Sequence, residues 1–220
     1  SVSKERNSIW DSLNNREVYA TSGERILLWF DVINHPSKQI KPMGSEFNME
    51  INPKFRVRAV GSQKQLPGCN VGEEFNREIL DRLCKGECFN PSDERKIISR
   101  IEVVRIRPQA YSGEPIENLI EDPWKVFDCE ASAEGCEVEF TDENFTDANR
   151  EIIYYVRAIQ EPSFAINASN LNCDRDDSGK CIKVNLCGDI DGQGEGDCLS
   201  QAEERAWSSP VFIKSAADQT

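Results

Sequence analysis

The fold of this chain is decided by the stretch Phe55-Arg56-Val57-Arg58-Ala59-Val60. Apolar residues alternate in it with arginines, and successive side chains of a β-strand point to opposite faces of a sheet. The stretch therefore predicts a strand with one buried face and one charged face. Residues 98–108 repeat this pattern, and the adjacent pair Val103-Val104 indicates a β-bulge.

Further apolar runs extend this pattern in both directions. The run Ile26-Leu27-Leu28-Trp29-Phe30 is nearly continuous, which is typical of a strand covered on both faces. Later runs lie at 138–140, 152–159 and 207–213. Because strands recur without helices between them, the sequence predicts a mostly β protein: an antiparallel β-sandwich, jelly-roll or immunoglobulin-like, with long disulfide-pinned loops.

One helix is predicted, at the beginning of the chain. Ile9, Trp10 and Leu13 share one face at helical spacing, and Ser3 can cap the first turn. The pattern ends at Asn14-Asn15, so we expect a short amphipathic helix.

The composition excludes several classes of function. The chain has 26 Lys and Arg against 39 Asp and Glu, a formal net charge of −13. Nucleic-acid binding requires a basic footprint, so we expect no nucleic-acid partner. No segment approaches the roughly 18 apolar residues that cross a bilayer, and no membrane span is predicted. The first residues lack a signal-peptide pattern, from which we expect a mature or truncated chain.

Nine cysteines occur in short-range groups. A single histidine and the lack of C-x-x-C pairs argue against zinc, so disulfides are favoured over zinc ligands or reduced thiols. Disulfides imply an oxidising compartment, and we expect a periplasmic, outer-surface or secreted protein. The odd number leaves one thiol free or bonded outside the chain. The groups are Cys69, Cys84 and Cys88; Cys129 and Cys136; and Cys173, Cys181, Cys187 and Cys198.

The connectivity of these disulfides does not follow from the sequence. Loop closure favours local pairs, and three can be written: Cys129 with Cys136, Cys173 with Cys181, and Cys187 with Cys198.

An acidic segment towards the end of the chain carries a pattern that calcium loops share. Asp174-Arg175-Asp176-Asp177-Ser178-Gly179 fits the opening of such a loop, and Asp189-Ile190-Asp191-Gly192 is a looser copy. The closing bidentate Glu is missing from both. The favoured interpretation is an acidic loop whose Asp and Gly residues make turns. The alternative is a weak structural calcium site with the ligands Asp174, Asp176, Ser178, Asp189 and Asp191.

The sequence offers little support for catalysis by these residues alone. A transition-metal site or a Ser-His-Asp triad would need more than the single histidine, His35, which follows a strand and is most simply a turn residue. No pair of carboxylates is singled out as a glycosidase pair. We therefore expect no catalytic residue and no cofactor in this chain, calcium excepted.

Two polar features could bind an anion. Thr21, Ser22 and Arg25 follow the helix around a Gly turn and could line a substrate pocket, although an ordinary connection is the simpler interpretation. An arginine stripe on two predicted strands could recognise a phosphate or a sugar acid, but cross-strand ion pairs are favoured in so acidic a chain. The stripe comprises Arg56, Arg58, Arg100, Arg105 and Arg107.

Sequence blocks along nearly the whole chain resemble one family. At the beginning these are Ile9-Trp10-Asp11-Ser12-Leu13, Arg16-Glu17-Val18-Tyr19-Ala20-Thr21-Ser22-Gly23 and Arg25-Ile26-Leu27-Leu28-Trp29-Phe30. Later blocks include Leu83-Cys84-Lys85-Gly86-Glu87-Cys88, Asp122-Pro123-Trp124, Tyr154-Tyr155-Val156-Arg157-Ala158 and Glu203-Glu204-Arg205-Ala206-Trp207. The blocks resemble the end of bacterial proteins with the domain of unknown function 3604.

That family is similar to the PHP superfamily, the polymerase-and-histidinol-phosphatase metal-dependent phosphoesterases. The resemblance implies a barrel that holds divalent transition metals in the full-length protein, with the His-rich motifs before Ser1, since none occurs here. It implies that residues 1–24 are the last helix and strand end of the barrel and residues 25–220 a C-terminal β-sandwich.

Two functions stay open from the sequence. The first is the non-catalytic C-terminal domain of a secreted or periplasmic PHP-like hydrolase, with Thr21, Ser22 and Arg25 on the substrate side. Its partner would be the N-terminal barrel or a second copy, and the apolar face of the helix would be exposed in this chain. The alternative is an extracellular binding or structural module whose acidic loop holds calcium.

Overall fold

The computed structural model of the protein describes residues 3–68, 78, 82, 88–166, 173–184 and 199–215. Two of its helices are α1 (Arg6–Asn14) and α2 (Phe145–Ala148). The strands of the first half are β1 (Tyr19–Thr21), β2 (Leu27–Val32), β3 (Lys41–Pro42), β4 (Glu46–Met49), β5 (Lys54–Val60), β6 (Gln63–Pro67), β7 (Phe89–Arg95) and β8 (Ile98–Ile106). Those of the second half are β9 (Ile120–Asp128), β10 (Cys136–Thr141), β11 (Ile152–Gln160), β12 (Ser163–Ile166), β13 (Cys173–Arg175), β14 (Cys181–Val184), β15 (Leu199–Ala202), β16 (Arg205–Ser208) and β17 (Val211–Ser215).

Two sheets form the body of the molecule. The first sheet runs β1-β16-β11-β17-β4, and β11 also pairs with β8, which pairs with β9. The second sheet runs β10-β5-β2-β3. All described pairings are antiparallel except that of β17 with β4. The predicted mostly β, antiparallel sandwich is therefore confirmed.

One apolar core lies between the two sheets. Phe55 of β5 stacks on Phe30 and Phe140 with ring centroids 5.5 and 5.0 Å apart, and Tyr154 of β11 meets it from the first sheet at 4.7 Å. All but Phe140, which is slightly exposed, are completely buried. Each such side chain contributes on the order of 2 kcal/mol by leaving water, so this aromatic contact holds the sheets face to face.

Residues 55–60 lie in a strand with one buried face and one charged face, as their pattern predicts. In β5, Phe55, Val57 and Ala59 are buried while Arg58 is exposed on the other face. The bulge predicted at Val103-Val104 is also confirmed, because the pairing of β8 with β9 shifts register between Val103 and Arg105.

Strand β2 differs from its prediction. Leu28 and Phe30 are buried, but Trp29 between them is 43% exposed. The strand is therefore covered on one face only, since the second sheet has its outer face open to solvent. The apolar residue Trp29 hid the alternation in the sequence, and its ring is covered instead by the guanidinium of Arg58, 5.4 Å from the ring centroid.

Helix α1 ends where the sequence predicts, but its beginning differs. The N-cap residue is Glu5, with no side-chain capping bond, so Ser3 is not the cap. Instead, the Ser3 hydroxyl accepts a hydrogen bond from the Glu5 amide at 3.3 Å, before the first turn.

The predicted division of the chain into two parts after residue 24 stays a prediction. Strand β1, which lies before that boundary, pairs with β16 of the first sheet.

Two-stranded ribbons extend from the sandwich. They pair β6 with β7, β12 with β15, and β13 with β14. The β6–β7 ribbon begins where β5 ends and returns to the chain just before β8, so it flanks the loop between β1 and β2. This placement forms the cleft described next.

Candidate functional site

A cleft of about 550 Å³ lies between the β1–β2 loop and the β6–β7 ribbon. The loop supplies Glu24 and Arg25, and the ribbon supplies Gln63, Gln65 and Arg95. Gly23, Leu27, Ser62 and Pro91 complete the lining. Segments distant in sequence meet here because β2 and β5 are neighbours in the second sheet and the ribbon follows β5 directly.

Glu24 is the centre of a hydrogen-bond network behind this cleft. Its carboxylate accepts hydrogen bonds from the Lys96 ammonium, from the Ser62 hydroxyl at 2.5 Å and from the Gln160 amide at 2.5 Å. The Gln160 carbonyl oxygen in turn accepts a hydrogen bond from the Ser62 backbone N–H at 2.8 Å. Ser62 and Gln160 are buried, so the network joins β11 to the end of β5 with its polar groups satisfied.

This network keeps Glu24 ionised. Partial burial on its own favours the neutral acid, but the hydrogen bonds from Lys96, Ser62 and Gln160 outweigh it, and the pKa of Glu24 lies below its ordinary value. The charge of Glu24 is therefore fixed at neutral pH and compensated by Lys96.

Close backbone packing positions Arg95 at the rim of the same cleft. Its Nη1 donates to the Gly61 carbonyl oxygen at 2.8 Å. A Cβ at Gly61 would lie 1.9 Å from the Lys96 carbonyl oxygen, so only glycine permits this approach of the two segments. Lys96 completes the contact by donating its backbone N–H to the Ser62 carbonyl oxygen at 2.8 Å.

The predicted substrate residues lie on two different clefts. Arg25 lines the cleft just described, whereas Ser22 lines another of about 580 Å³ beside Glu203 and Glu204. The Ser22 hydroxyl donates to the Glu204 carboxylate and accepts from the Arg205 backbone N–H at 2.9 Å. Thr21 pairs with Ala206 at the end of β1. Thr21 and Ser22 thus attach β1 to β16, and their binding role stays a prediction.

The arginine stripe makes mainly cross-strand ion pairs. Arg56 bonds to Glu139, Arg100 to Glu203, and Arg107 to Glu121. The hydrogen bond to Glu203 is the main reason that the pKa of Arg100 lies above its ordinary value. The favoured structural interpretation of the stripe is therefore confirmed for these arginines.

Arg105 differs from the rest of the stripe because it points into the sandwich. Its Nη1 donates to Asp142 at 2.8 Å, and its Nε and Nη2 donate to Glu121 at 2.6 and 3.0 Å. The Tyr154 hydroxyl donates to the same Asp142 oxygen at 2.7 Å. The guanidinium also lies 4.1 Å from the ring centroid of Trp124. We call Arg105, Glu121, Asp142 and Tyr154 the Arg105 cluster.

The acidic segment 174–180 forms a turn. Asp176 Oδ1 accepts hydrogen bonds from the backbone N–H groups of Ser178 and Lys180 at 2.9 and 3.0 Å and from the Ser178 hydroxyl at 2.5 Å. Gly179 has φ +80°, which glycine adopts without strain. These contacts are those of turn residues between β13 and β14; Asp189 and Asp191 lie outside the described residues.

Metal ligands are not gathered in the part of the chain that the structure describes: no three His, Cys, Asp or Glu side chains there could hold an ion together. His35 is a turn residue, as predicted. Its carbonyl oxygen accepts a hydrogen bond from the Lys38 N–H at 2.8 Å, and its ring packs edge-on against Phe47. Within the same described segments, no helix is both long and apolar enough to traverse a bilayer.

The cysteines confirm one predicted pair. Cys129 and Cys136 form a disulfide that joins the end of β9 to the beginning of β10. Cys88 and Cys181 are disulfide-bonded as well. The side chain of Cys173 and the residues Cys69, Cys84, Cys187 and Cys198 lie outside the description, so the other two predicted pairs stay predictions.

Helix α1 presents its apolar face to solvent. Ile9, Trp10 and Leu13 are 45%, 66% and 56% exposed, as expected for this chain on its own. Just after the helix, Arg16 contacts the sandwich: its Nε donates to the Gly44 carbonyl oxygen at 3.2 Å, and its guanidinium lies 5.1 Å from the Phe212 ring centroid. The helix is thus anchored at its C-terminal end with its apolar side open.

The fold defines the chain as an antiparallel β-sandwich with an amphipathic N-terminal helix. Residues 1–65 match the family model described as Protein of unknown function (DUF3604). The match covers α1, the loop with Ser22 and Arg25, and the strands up to β5, and it supports the resemblance to that domain of unknown function. No curated protein and no solved structure matches the chain.

Sequence reasoning identified part of the cleft. It selected Arg25 because the segment around the Gly turn displays polar groups, but it did not select the neighbouring Glu24. Arg95, Lys96 and Gln160 were also missed, since each lies in a segment that looks like an ordinary strand or strand end. Their proximity to Glu24 comes from the sheet order, for which the sequence carries no local signal.

Proposed function

We propose that this chain is the non-catalytic C-terminal β domain of a secreted or periplasmic PHP-like metal-dependent hydrolase, whose metal-holding barrel precedes Ser1 in the full-length protein. The observation that carries the proposal is the open apolar face of α1. The match of residues 1–65 to the domain of unknown function 3604 supports it, as does the resemblance of that family to the PHP superfamily.

The exposed face of α1 supports a docking role on physical grounds. A nine-residue helix is too short to be stable in water by its own hydrogen bonds, so it requires packing. Trp10 and Leu13 would give that packing if a second surface covered them, and a large exposed apolar patch is typical of such an interface. The barrel of the same protein is the proposed partner, and a second copy of the chain is the alternative.

The proposal divides two roles between the barrel and this domain. The barrel would hold the metals. When bound, divalent metals lower the pKa of a coordinated water and polarise the phosphoryl oxygens. This domain would support the barrel through α1 and place Thr21, Ser22 and Arg25 near the substrate side.

The proposed location rests on the disulfides. Cys129–Cys136 is formed, and Cys88 and Cys181 are also bonded, which is typical of proteins in oxidising compartments. A periplasmic, outer-surface or secreted location follows as part of the proposal.

The test compares the full-length protein with the 220-residue chain. Metal content is measured by mass spectrometry, and turnover is measured with a phosphodiester and a phosphomonoester substrate. We expect transition metal and turnover in the full-length protein alone. Metal-dependent turnover by the 220 residues would overturn the proposal, as would a full-length protein without a hydrolase metal site.

A matched pair of variants tests the docking face. In the full-length protein, W10A with L13A should lower the melting temperature and weaken turnover, because it removes the proposed contact. Y111A is the control, since Tyr111 is 63% exposed on the β8–β9 loop and has no role in the proposal. Equal effects of the two changes would contradict a specific interface at α1.

A further inference from the structure

We propose that the cleft between the β1–β2 loop and the β6–β7 ribbon binds an acidic sugar, a hydroxylated small molecule with one carboxylate or phosphate group. Arg25 and Arg95 would bind the anionic group. The inference shares Arg25 with the proposed function, but it needs no residue of the proposed barrel and is tested on this chain alone.

The first argument is that both arginines of the cleft lack an acidic partner. Neither Arg25 nor Arg95 forms an ion pair with an acid among the described residues, although the chain has a net charge of −13. Seven of the fourteen described arginines have a carboxylate partner within 4 Å: Arg16, Arg56, Arg100, Arg105, Arg107, Arg150 and Arg157. The others without one, Arg6, Arg58, Arg82, Arg175 and Arg205, do not line this cleft. Two arginines without such partners line the same cleft.

The second argument is the charge balance of the cleft. Glu24 is the one acid among the lining residues given above, and Lys96 compensates it from behind. Glu94, which precedes Arg95 on β7, is bound to Lys64 at 3.3 Å. Two guanidinium charges are thus left for a ligand. A guanidinium can bind a carboxylate or phosphate with two parallel hydrogen bonds.

The third argument is the chemistry of the remaining lining. Gln63 and Gln65 carry amides, which can donate to and accept from hydroxyl groups. Leu27 and Pro91 offer apolar surface for the C–H groups of a ring. A volume of about 550 Å³ lies within the range of about 300–1,000 Å³ that is typical of small-molecule sites.

The fourth argument is that the cleft is preorganised. Arg95 is held by the Gly61 carbonyl oxygen, and Gly61 is locked against Lys96 by backbone contact. Glu24 is held by three hydrogen bonds beneath the loop that carries Arg25. Less conformational entropy is lost on binding when the contact groups are already fixed.

The test is a titration of the 220-residue chain by calorimetry with D-glucuronate, D-glucose 6-phosphate and D-glucose. We expect saturable one-to-one binding of at least one acidic sugar, with glucose at least about tenfold weaker, since the charge-assisted contacts to Arg25 and Arg95 are lost. The acidic sugar that binds more tightly identifies the preferred anionic group as carboxylate or phosphate. Binding of neither acid, or equal binding of glucose, would overturn the proposal.

Two variants locate the binding. R25Q should weaken the binding of the acidic sugar by about tenfold or more. It should leave the fold intact, because Arg25 is exposed. R58Q is the control, since Arg58 is exposed as Arg25 is but lies on β5 over Trp29, outside the cleft. Binding that R25Q leaves unchanged, or that R58Q weakens equally, would place the ligand elsewhere and overturn the assignment.

Discussion

The Arg105 cluster and the Arg25–Arg95 cleft use the same side chain in opposite ways. Arg105 is almost completely buried, and its three kinds of nitrogen all donate to carboxylates. Arg25 and Arg95 lie on an open cleft without a carboxylate partner in the described part of the chain. The Arg105 cluster is closed to any ligand, whereas the cleft can accept one.

The difference teaches where charge stabilises the fold and where it is available for binding. Asp142 is fully buried and receives hydrogen bonds from Arg105, Tyr154 and the Asn144 backbone N–H. Burial raises the pKa of Tyr154, so its hydroxyl stays protonated and donates to the carboxylate. Arg105, Glu121 and Tyr154 lie on strands of the first sheet, and Asp142 directly follows β10 of the second, so the cluster helps fix how the sheets pack.

Removal of Arg105 should give the largest effect on stability. R105L leaves Asp142 as a buried charge without its cation, which typically costs about 3–5 kcal/mol. We expect that loss in the free energy of unfolding from urea titrations at pH 7. R56L is the control, because Arg56 forms exposed ion pairs and its loss should cost less than about 1 kcal/mol. Similar losses for the two variants would show that burial does not distinguish them.

The disulfide that joins the sheets should have the next largest effect on stability; it lies at the opposite ends of β9 and β10 from this cluster. In C129S/C136S the unfolded chain regains the freedom of a short loop, which lowers stability by about 2–3 kcal/mol. The measurement is thermal and urea unfolding of the double variant. Reductant added to the double variant should then have no effect at this position, because the cross-link is already absent. If the double variant loses less than about 1 kcal/mol of unfolding free energy, the Arg105 cluster holds the sheets without the cross-link.

Glu24 should show an intermediate and pH-dependent effect. E24Q removes the charge that Lys96, Ser62 and Gln160 bind, and we expect a loss of about 1–2 kcal/mol at pH 7, since the site is only partly buried. The pKa of Glu24 is lower in the folded protein than its ordinary 4.5, so its contribution is present above pH 4.5. It is lost as the pH falls through the folded pKa.

The measurement for Glu24 is the unfolding free energy of E24Q and the unmodified chain between pH 7 and pH 3. The difference should shrink below pH 4.5. E94Q is the control, because Glu94 pairs with Lys64 on an exposed strand and should show little difference at any pH. A constant difference across the range would contradict a role for the ionised carboxylate.

Much of the fold could be predicted because a half-buried strand shows its pattern in consecutive residues. The alternation in β5 and the bulge of β8 are such local signals. The order of the strands is not local, and the clusters depend on it. Asp142 lies 37 residues from Arg105, so the sequence placed Arg105 on an outer face although it is buried.

The candidate site was predicted in part for the same reason. Arg25 stood out because it follows a Gly turn with hydroxyl side chains. The groups that position its loop, Ser62, Lys96 and Gln160, lie 38, 72 and 136 residues from Glu24. Only the pairing of distant strands brings them together, and no local pattern marks residues that meet in this way.

Loss of Arg25 should have the smallest effect on stability. The side chain is exposed and has no described partner, so R25Q should change the free energy of unfolding by less than about 0.5 kcal/mol. The measurement is a urea titration beside R105L. An arginine that stabilises nothing in the fold but lines a cleft is available for a ligand, and that makes the small effect informative. A loss above about 1 kcal/mol would show that Arg25 has a structural partner and would remove the contrast with Arg105.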